Sequence, residues 1–283
     1  MAGSEPAAGT SPAPVSSSVV KPTRSLSRLD EERAIPGSDA TYVAHLARYE
    51  FVRPLVRGQR VLEVGSGEGY GAALLAGVAR SVRAVDYAPV AVEHAREKYA
   101  LSNLEFRVAN ATALPFADGT FDIAIAFEIL EHTEDHDRVV SETARVLRRG
   151  GKLLVSTPNA KLERAFEKVA GRAHYEYHIN TPDVRELRRV LKRHLSEVRI
   201  YGQSERRSFA HMALKTLDVL NLRHRLVRSR AGQGALLRKF FPSAGHKKAI
   251  PTDEESAAGR QYRFSRLLAS RSPMILGVAV KRR

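Results

Sequence analysis

Short apolar runs alternate with amphipathic stretches over the middle of this chain. The runs Arg60–Val64, Val82–Asp86, Leu104–Val108, Phe121–Phe127 and Gly151–Ser156 are rich in β-branched residues and read as buried strands. Between them Tyr70–Val78, Pro89–Ala100 and about Glu134–Leu147 carry apolar positions at helical spacing. Strands and helices in that rhythm predict βαβ units and a parallel sheet covered on both faces. Ahead of them, Asp39–Arg53 turns Tyr42, Val43, Leu46, Tyr49 and Phe51 onto one apolar face of a helix.

After Pro158 the rhythm changes. A basic helix is predicted over Pro182–Arg193, then a strand at Ser196–Gly202 and a last strand at Met274–Val280. Residues 203–273 between those strands exceed an ordinary loop and are expected to carry structure of their own. Two amphipathic helices, around Ser208–Val227 and Ala235–Phe241, and a polar linker at Ser243–Ala258 fit there. Residues 1–28, rich in Ala, Ser, Pro and Gly without an apolar period, are expected to be a disordered leader to a domain spanning 29–283.

The most informative segment is Val61-Leu62-Glu63-Val64-Gly65-Ser66-Gly67-Glu68-Gly69-Tyr70-Gly71. A strand ends in an acidic residue, and a loop with glycine at every second position opens a helix. Such a turn lets a ligand approach the backbone closely. Tyr70 stands where a dinucleotide fingerprint needs its third glycine, and the loop lacks the lysine of a P-loop. A nucleoside ligand without a pyrophosphate remains, and Glu63 suits one that carries a cationic amino group. Asp86, ending the next strand, is placed to accept hydrogen bonds from ribose hydroxyls. Asn110-Ala111-Thr112, after the third strand, is placed to meet an adenine edge.

Together these segments resemble the class I S-adenosylmethionine-dependent methyltransferases. The likeness continues in Leu114-Pro115-Phe116-Ala117-Asp118-Gly119-Thr120-Phe121-Asp122, in Phe127-Glu128-Ile129-Leu130-Glu131-His132 and in Val146–Asn159. It covers about residues 39–202 and implies S-adenosylmethionine as cofactor. It also implies a doubly wound α/β fold of seven mostly parallel strands, with Met274–Val280 antiparallel and a basic helical lid at 203–273. By this likeness Glu63, Gly65, Ser66, Gly67, Asp86, Tyr87, Asn110, Ala111 and Phe127 would hold the cofactor. Tyr42 and Arg48 would close over its methionine end. Position 110 is Asn where the family more often has Asp; an amide oxygen can still meet the adenine amino group.

Methyl transfer to an alcohol needs a proton removed, and His132, His174 or His178 can do that. His132 can equally cap or orient the helix that follows. His174 and His178 stand at helical spacing without the accompanying pattern of a zinc site, so no metal is expected. A looser likeness of Tyr175–Gln203 to bacterial enzymes of cell-surface sugars and secondary metabolism favours an oxygen of a sugar, glycan or natural product as acceptor.

Charge qualifies that expectation. The chain carries +15 overall, and residues 161–283 hold 28 Lys and Arg against 11 Asp and Glu, so the excess lies wholly in that half. A basic half suits an anionic partner, which keeps RNA methylation and contact with a membrane surface as alternatives. Against RNA, no Asn-Pro-Pro-Tyr-like tetrad follows the fourth strand, where Phe127-Glu128-Ile129-Leu130 stands. The absence of cysteine excludes disulfides and thiolate chemistry. No apolar run reaches the roughly 18–20 residues of a membrane span, and no signal-peptide pattern opens the chain. A cytoplasmic protein is the expectation.

Overall fold

In the computed structural model, which describes residues 40–170, 178–205 and 262–282, the alternation becomes an eight-stranded sheet with helices on both faces. In chain order the elements are α1 (Ala40–Val56), β1 (Arg60–Val64), α2 (Tyr70–Ala76), β2 (Ser81–Asp86), α3 (Pro89–Lys98), β3 (Leu104–Val108) and β4 (Phe121–Phe127). There follow α4 (His136–Val146), β5 (Leu147–Pro158), α5 (Ala160–Ala170), α6 (Val184–His194), β6 (Ser196–Glu205), β7 (Tyr262–Ser265) and β8 (Met274–Val280). The strand order is β3-β2-β1-β4-β5-β8-β6-β7. Strands β1 to β5 pair in parallel, and β8 runs antiparallel between β5 and β6.

The sheet has eight strands rather than seven. The additional strand, β7, pairs Tyr262–Ser265 with Gly202–Glu205 of β6, whose reading had stopped at Gly202. Residues 203–205 and 262–265 of the stretch expected as a helical lid are therefore sheet, and a 3₁₀ turn at Ala269–Arg271 follows. Short edge strands with alternating polar positions carry a weak sequence signal, which is why β7 and the end of β6 were not legible. Helix α5 was also missed, although Leu162, Ala165, Phe166 and Val169 recur at helical spacing. The predicted leader, the two helices of the insertion and its polar linker lie outside the described residues.

Period-two alternation sorts side chains onto two cores. On β1, Leu62 and Val64 lie on the face that carries α4 and α6, in one cluster with Val139, Val140, Leu187 and Leu191. Val61 faces the other way, toward Val52 and Val56 of α1 and Leu75 of α2. Ile123, Ile125 and Phe127 of β4 share that second face. Each buried aliphatic of this kind contributes about 1.5–3 kcal/mol relative to exposure, so both faces must stay covered. The same parity turns Glu63 toward α1, and this decides what surrounds its carboxylate.

Helix α6 shows how locally the boundaries are set. Asp183 accepts from Arg185 N at 2.7 Å and Glu186 N at 2.9 Å, while Glu186 Oε2 accepts from Asp183 N at 2.8 Å. That reciprocal box fixes the helix start two residues beyond Pro182. Asp183→Ala is expected to cost about 1 kcal/mol, read as a lower urea midpoint with an unchanged slope.

Candidate functional site

The strand order reverses between β1 and β4, and loops that leave the carboxyl ends of those neighbours face one crevice. The glycine loop leaves β1, and the turn Glu128–His132 leaves β4. At Gly65 the two touch: an added Cβ would lie 1.8 Å from Ile129 Cδ1, and φ is +77°. Gly67 also has positive φ, +49°, but nothing lies within 4 Å of where its Cβ would stand. The backbone there is open to a ligand. Gly71 has a third reason to be glycine, because a Cβ would overlap the Tyr49 ring and push α1 off α2.

Asp86 staples this loop. Its Oδ2 accepts from Gly67 N at 2.8 Å and its Oδ1 from Ala88 N at 2.9 Å. An ionised carboxylate has about four acceptor sites, so it can hold the loop and still receive ribose hydroxyls.

Beneath the loop lies a buried polar network. Tyr49 donates to Glu63 Oε1 at 2.5 Å, and its ring packs against Tyr70 and Phe127. Glu63 is 1% exposed, and its second oxygen, Oε2, has no hydrogen-bond partner. Arg48, also 1% exposed, donates from Nη1 to Gln203 Oε1 at 3.0 Å and approaches Glu128 Oε1 at 3.7 Å. Its Nε and Nη2 have no hydrogen-bond partner, nor does the buried Ser66 hydroxyl. Orphaned buried groups cost about 1–3 kcal/mol each, and more when charged, so a structure that keeps four is shaped for something that satisfies them. A carboxylate for Arg48 and an ammonium for Glu63 are the two ends of an amino-acid zwitterion.

Burial raises Glu63 to about 8, opposed by the Tyr49 hydrogen bond and helped by the charge of Asp86. Burial, and then Arg48, push His45 well below the ordinary histidine range, and its Nδ1 meets Tyr70 OH at 2.9 Å.

The turn after β4 carries a second cluster. Glu128, with φ +55°, accepts from Ser156 Oγ at 2.7 Å. Leu130–His132 form a 3₁₀ turn, and the Glu131 carbonyl accepts from Ile179 N at 2.8 Å and Asn180 N at 3.2 Å. That docking sets the rings of His132 and His178 5.3 Å apart at 76°. The Glu131 carboxyl is buried, and burial, then the charge of Glu128, raises it well above the carboxylate range.

A model of the methyltransferase domain matches residues 62–155. A probable S-adenosylmethionine-dependent methyltransferase of Mycobacterium tuberculosis is 45% identical over 134 residues, 46% of this chain and 48% of that one. Residues 62–155 thus carry a methyltransferase domain, similar in sequence to that of S-adenosylmethionine-dependent enzymes. An O-methyltransferase of Aspergillus nomiae is 38% identical over 107 residues, 36% of this chain and 47% of its own. The chain thus spans about half the length of the curated relatives it matches. A Thermotoga maritima structure described as a methyltransferase, possibly a histamine N-methyltransferase, shares the fold. It has a TM-score of 0.55 at 16% identity, covering 85% of this chain and 92% of that one.

Within this methyltransferase domain the expected site residues separate by place. Gly65, Ser66 and Gly67 form the loop at the end of β1, Asp86 holds it, Glu63 lies buried beneath it, and Tyr87 stands exposed beside Asp86. Asn110 lies in the turn after β3, where its Oδ1 accepts from both Thr112 N and Thr112 Oγ1 at 2.9 Å. Ala111 packs partly into the core. Phe127 and Tyr42 are mostly buried, the first against Tyr49 and the second edge-on to Tyr70. Arg48 sits deeper than expected, tied to Glu128 and Gln203.

His132 and His178 do converge; His174 lies outside the described residues. His132 does not cap α4, because Asp135 accepts from Arg138 N in that place. Tyr49, Glu128, Glu131, Gln203 and Glu163, whose Oε1 is 2.7 Å from His178 Nδ1, were not anticipated. Only Glu128 and Glu131 carried a sequence signal, in the segment Phe127–His132. Among the described residues no helix is long and apolar enough to cross a membrane.

Proposed function

We propose that this chain transfers a methyl group from S-adenosylmethionine to an oxygen of a small organic acceptor, a sugar, glycan or natural product. The observation that carries the reading is the set of orphaned buried atoms beside the glycine loop. Arg48 would receive the carboxylate of the cofactor's methionine end, Glu63 its amino group and Asp86 its ribose. When bound, the cofactor supplies a methyl group already activated on a sulfonium. The protein's task is then alignment for in-line displacement, which Gly65 and Gly67 serve by admitting the ligand against the backbone.

An alcohol must also lose its proton, whereas an amine needs only its neutral form. The cluster of Glu131, His132 and His178 at the end of β4, beside the crevice, is where that proton would leave. This favours oxygen over nitrogen, and the fungal relative named an O-methyltransferase agrees with it. Glu163 orients His178 through Nδ1.

The Glu63 value gives the reading a pH signature. Below about 8 the cofactor-free site holds a proton that must leave before an ammonium can bind. Affinity for S-adenosylhomocysteine is expected to rise with pH up to about 8, with proton release seen in buffers of different ionisation enthalpy. Stability of the cofactor-free protein runs the other way. The raised Glu63 value contributes fully below about 4.5 and is lost as pH rises through about 8. Glu63→Gln should remove both dependences.

A second reading rests on α6, where Arg185, Arg188, Arg189, Lys192 and Arg193 gather around one surface hollow. Such a surface suits an anionic acceptor, RNA included. Labelled methyl transfer to a panel of glycosides, phenols, amines and RNA separates the two. Label in hydroxyl compounds supports the proposal; label confined to RNA or amines overturns it.

A further inference from the structure

The cluster after β4 has the makings of a cation site that the sequence did not announce. Glu131 is 1% exposed, and neither oxygen of its carboxyl has a hydrogen-bond partner. The backbone N–H of Glu131 and the Thr157 hydroxyl lie near enough to influence that carboxyl without reaching hydrogen-bond geometry. One ligand atom each from Glu131, His132 and His178 lies within 4.8 Å of the other two. A buried carboxyl whose oxygens lack hydrogen bonds is costly by itself, and a cation shared with the two imidazoles would satisfy it.

We propose that Glu131, His132 and His178 bind one divalent transition-metal ion, which holds the acceptor oxygen. Two imidazoles and a carboxylate with a position left over are the donor set of catalytic zinc sites, and imidazole favours such ions over magnesium. Glu163 Oε1, 2.7 Å from His178 Nδ1, leaves Nε2 as the ligand atom and fixes the ring, the usual support around a metal-bound histidine. Glu131 is buried, His178 half-buried and His132 exposed, so the site opens on one side to solvent and acceptor.

The chemistry rests on the methyl-transfer reading above. Coordination lowers the pKa of the acceptor hydroxyl, and its proton passes to water. The freed lone pair forms the new O–CH₃ bond as the S–CH₃ bond breaks, and the sulfonium leaves as the neutral thioether. No oxidant or reductant is consumed.

The test uses the full chain stripped with a chelator and titrated with Co²⁺, then Zn²⁺. One Co²⁺ per chain is expected, with visible d–d bands that Zn²⁺ abolishes by displacement. His132→Ala, an exposed position that leaves the core intact, should weaken binding at least about tenfold, and so should His178→Ala. His94→Ala, at a His–Glu pair outside this cluster, should leave it unchanged. Absence of stoichiometric uptake by the folded wild type, or uptake indifferent to His132→Ala, overturns the proposal. Parallel titration of the wild type with S-adenosylhomocysteine keeps the two readings apart. Its failure sinks the methyltransferase reading, whereas failed metal uptake beside intact cofactor binding sinks this inference alone.

Discussion

Arg48→Met is expected to weaken S-adenosylhomocysteine binding about a hundredfold while leaving the cofactor-free protein within about 1 kcal/mol of its original stability. The two halves of that result have separate causes. Removing the guanidinium strands Gln203 Oε1, which is buried and accepts from Nη1, at a cost of about 1–3 kcal/mol. It also removes a buried cation whose Nε and Nη2 have no hydrogen-bond partner, and the relief is of similar size. Glu128 loses only a distant cation at 3.7 Å and keeps its bond from Ser156. Methionine fills much the same length, so cavity formation adds little. Nothing offsets the loss on the ligand side, where charge-assisted bonds to a carboxylate contribute about 1.5–3 kcal/mol each. A structural arginine would behave the other way, with a large drop in Tm and no separate effect on affinity.

Asp86→Ala is expected to lose on both counts. The carboxylate accepts from Gly67 N and Ala88 N and so ties the glycine loop to the start of α3. Two bonds to a charged acceptor, discounted because the site is partly exposed, amount to about 2–3 kcal/mol. In a domain of this size that lowers Tm by about 4–12 °C. Binding suffers further, because the loop loses its fixed shape and the ribose loses its acceptor. A fall of a hundredfold or more in affinity is expected by calorimetry. Asp86→Asn keeps oxygen for one of the two N–H donors and should fall between. Affinity unchanged in a folded Asp86→Ala protein would remove Asp86 from the site.

The central parallel strands were legible because they are buried on both faces and read as apolar runs, as Phe121–Phe127 does. Likewise Gly65, Gly67 and Asp86 announced the crevice, since backbone that must turn tightly and admit a ligand leaves its mark locally. What the sequence hid depends on distance along the chain. Gln203 meets Arg48 across 155 residues, and nothing near either position signals the partner. Tyr49 looked like one more apolar position on α1, yet its hydroxyl completes Glu63. His178 reaches His132 only because Ile179 and Asn180 dock on the Glu131 carbonyl, a loop contact with no periodicity to read. Nor did the sequence show that Asn110 Oδ1 accepts from Thr112 N and Oγ1 and so shapes its own turn.

The central claim is that the buried groups beside the glycine loop receive S-adenosylmethionine. Calorimetric titration of the full chain with S-adenosylhomocysteine tests it most directly. The account predicts one site per chain, release of a proton below about pH 8, and loss of that proton signal in Glu63→Gln. A folded wild-type chain that takes up no S-adenosylhomocysteine on either side of that pH would contradict it.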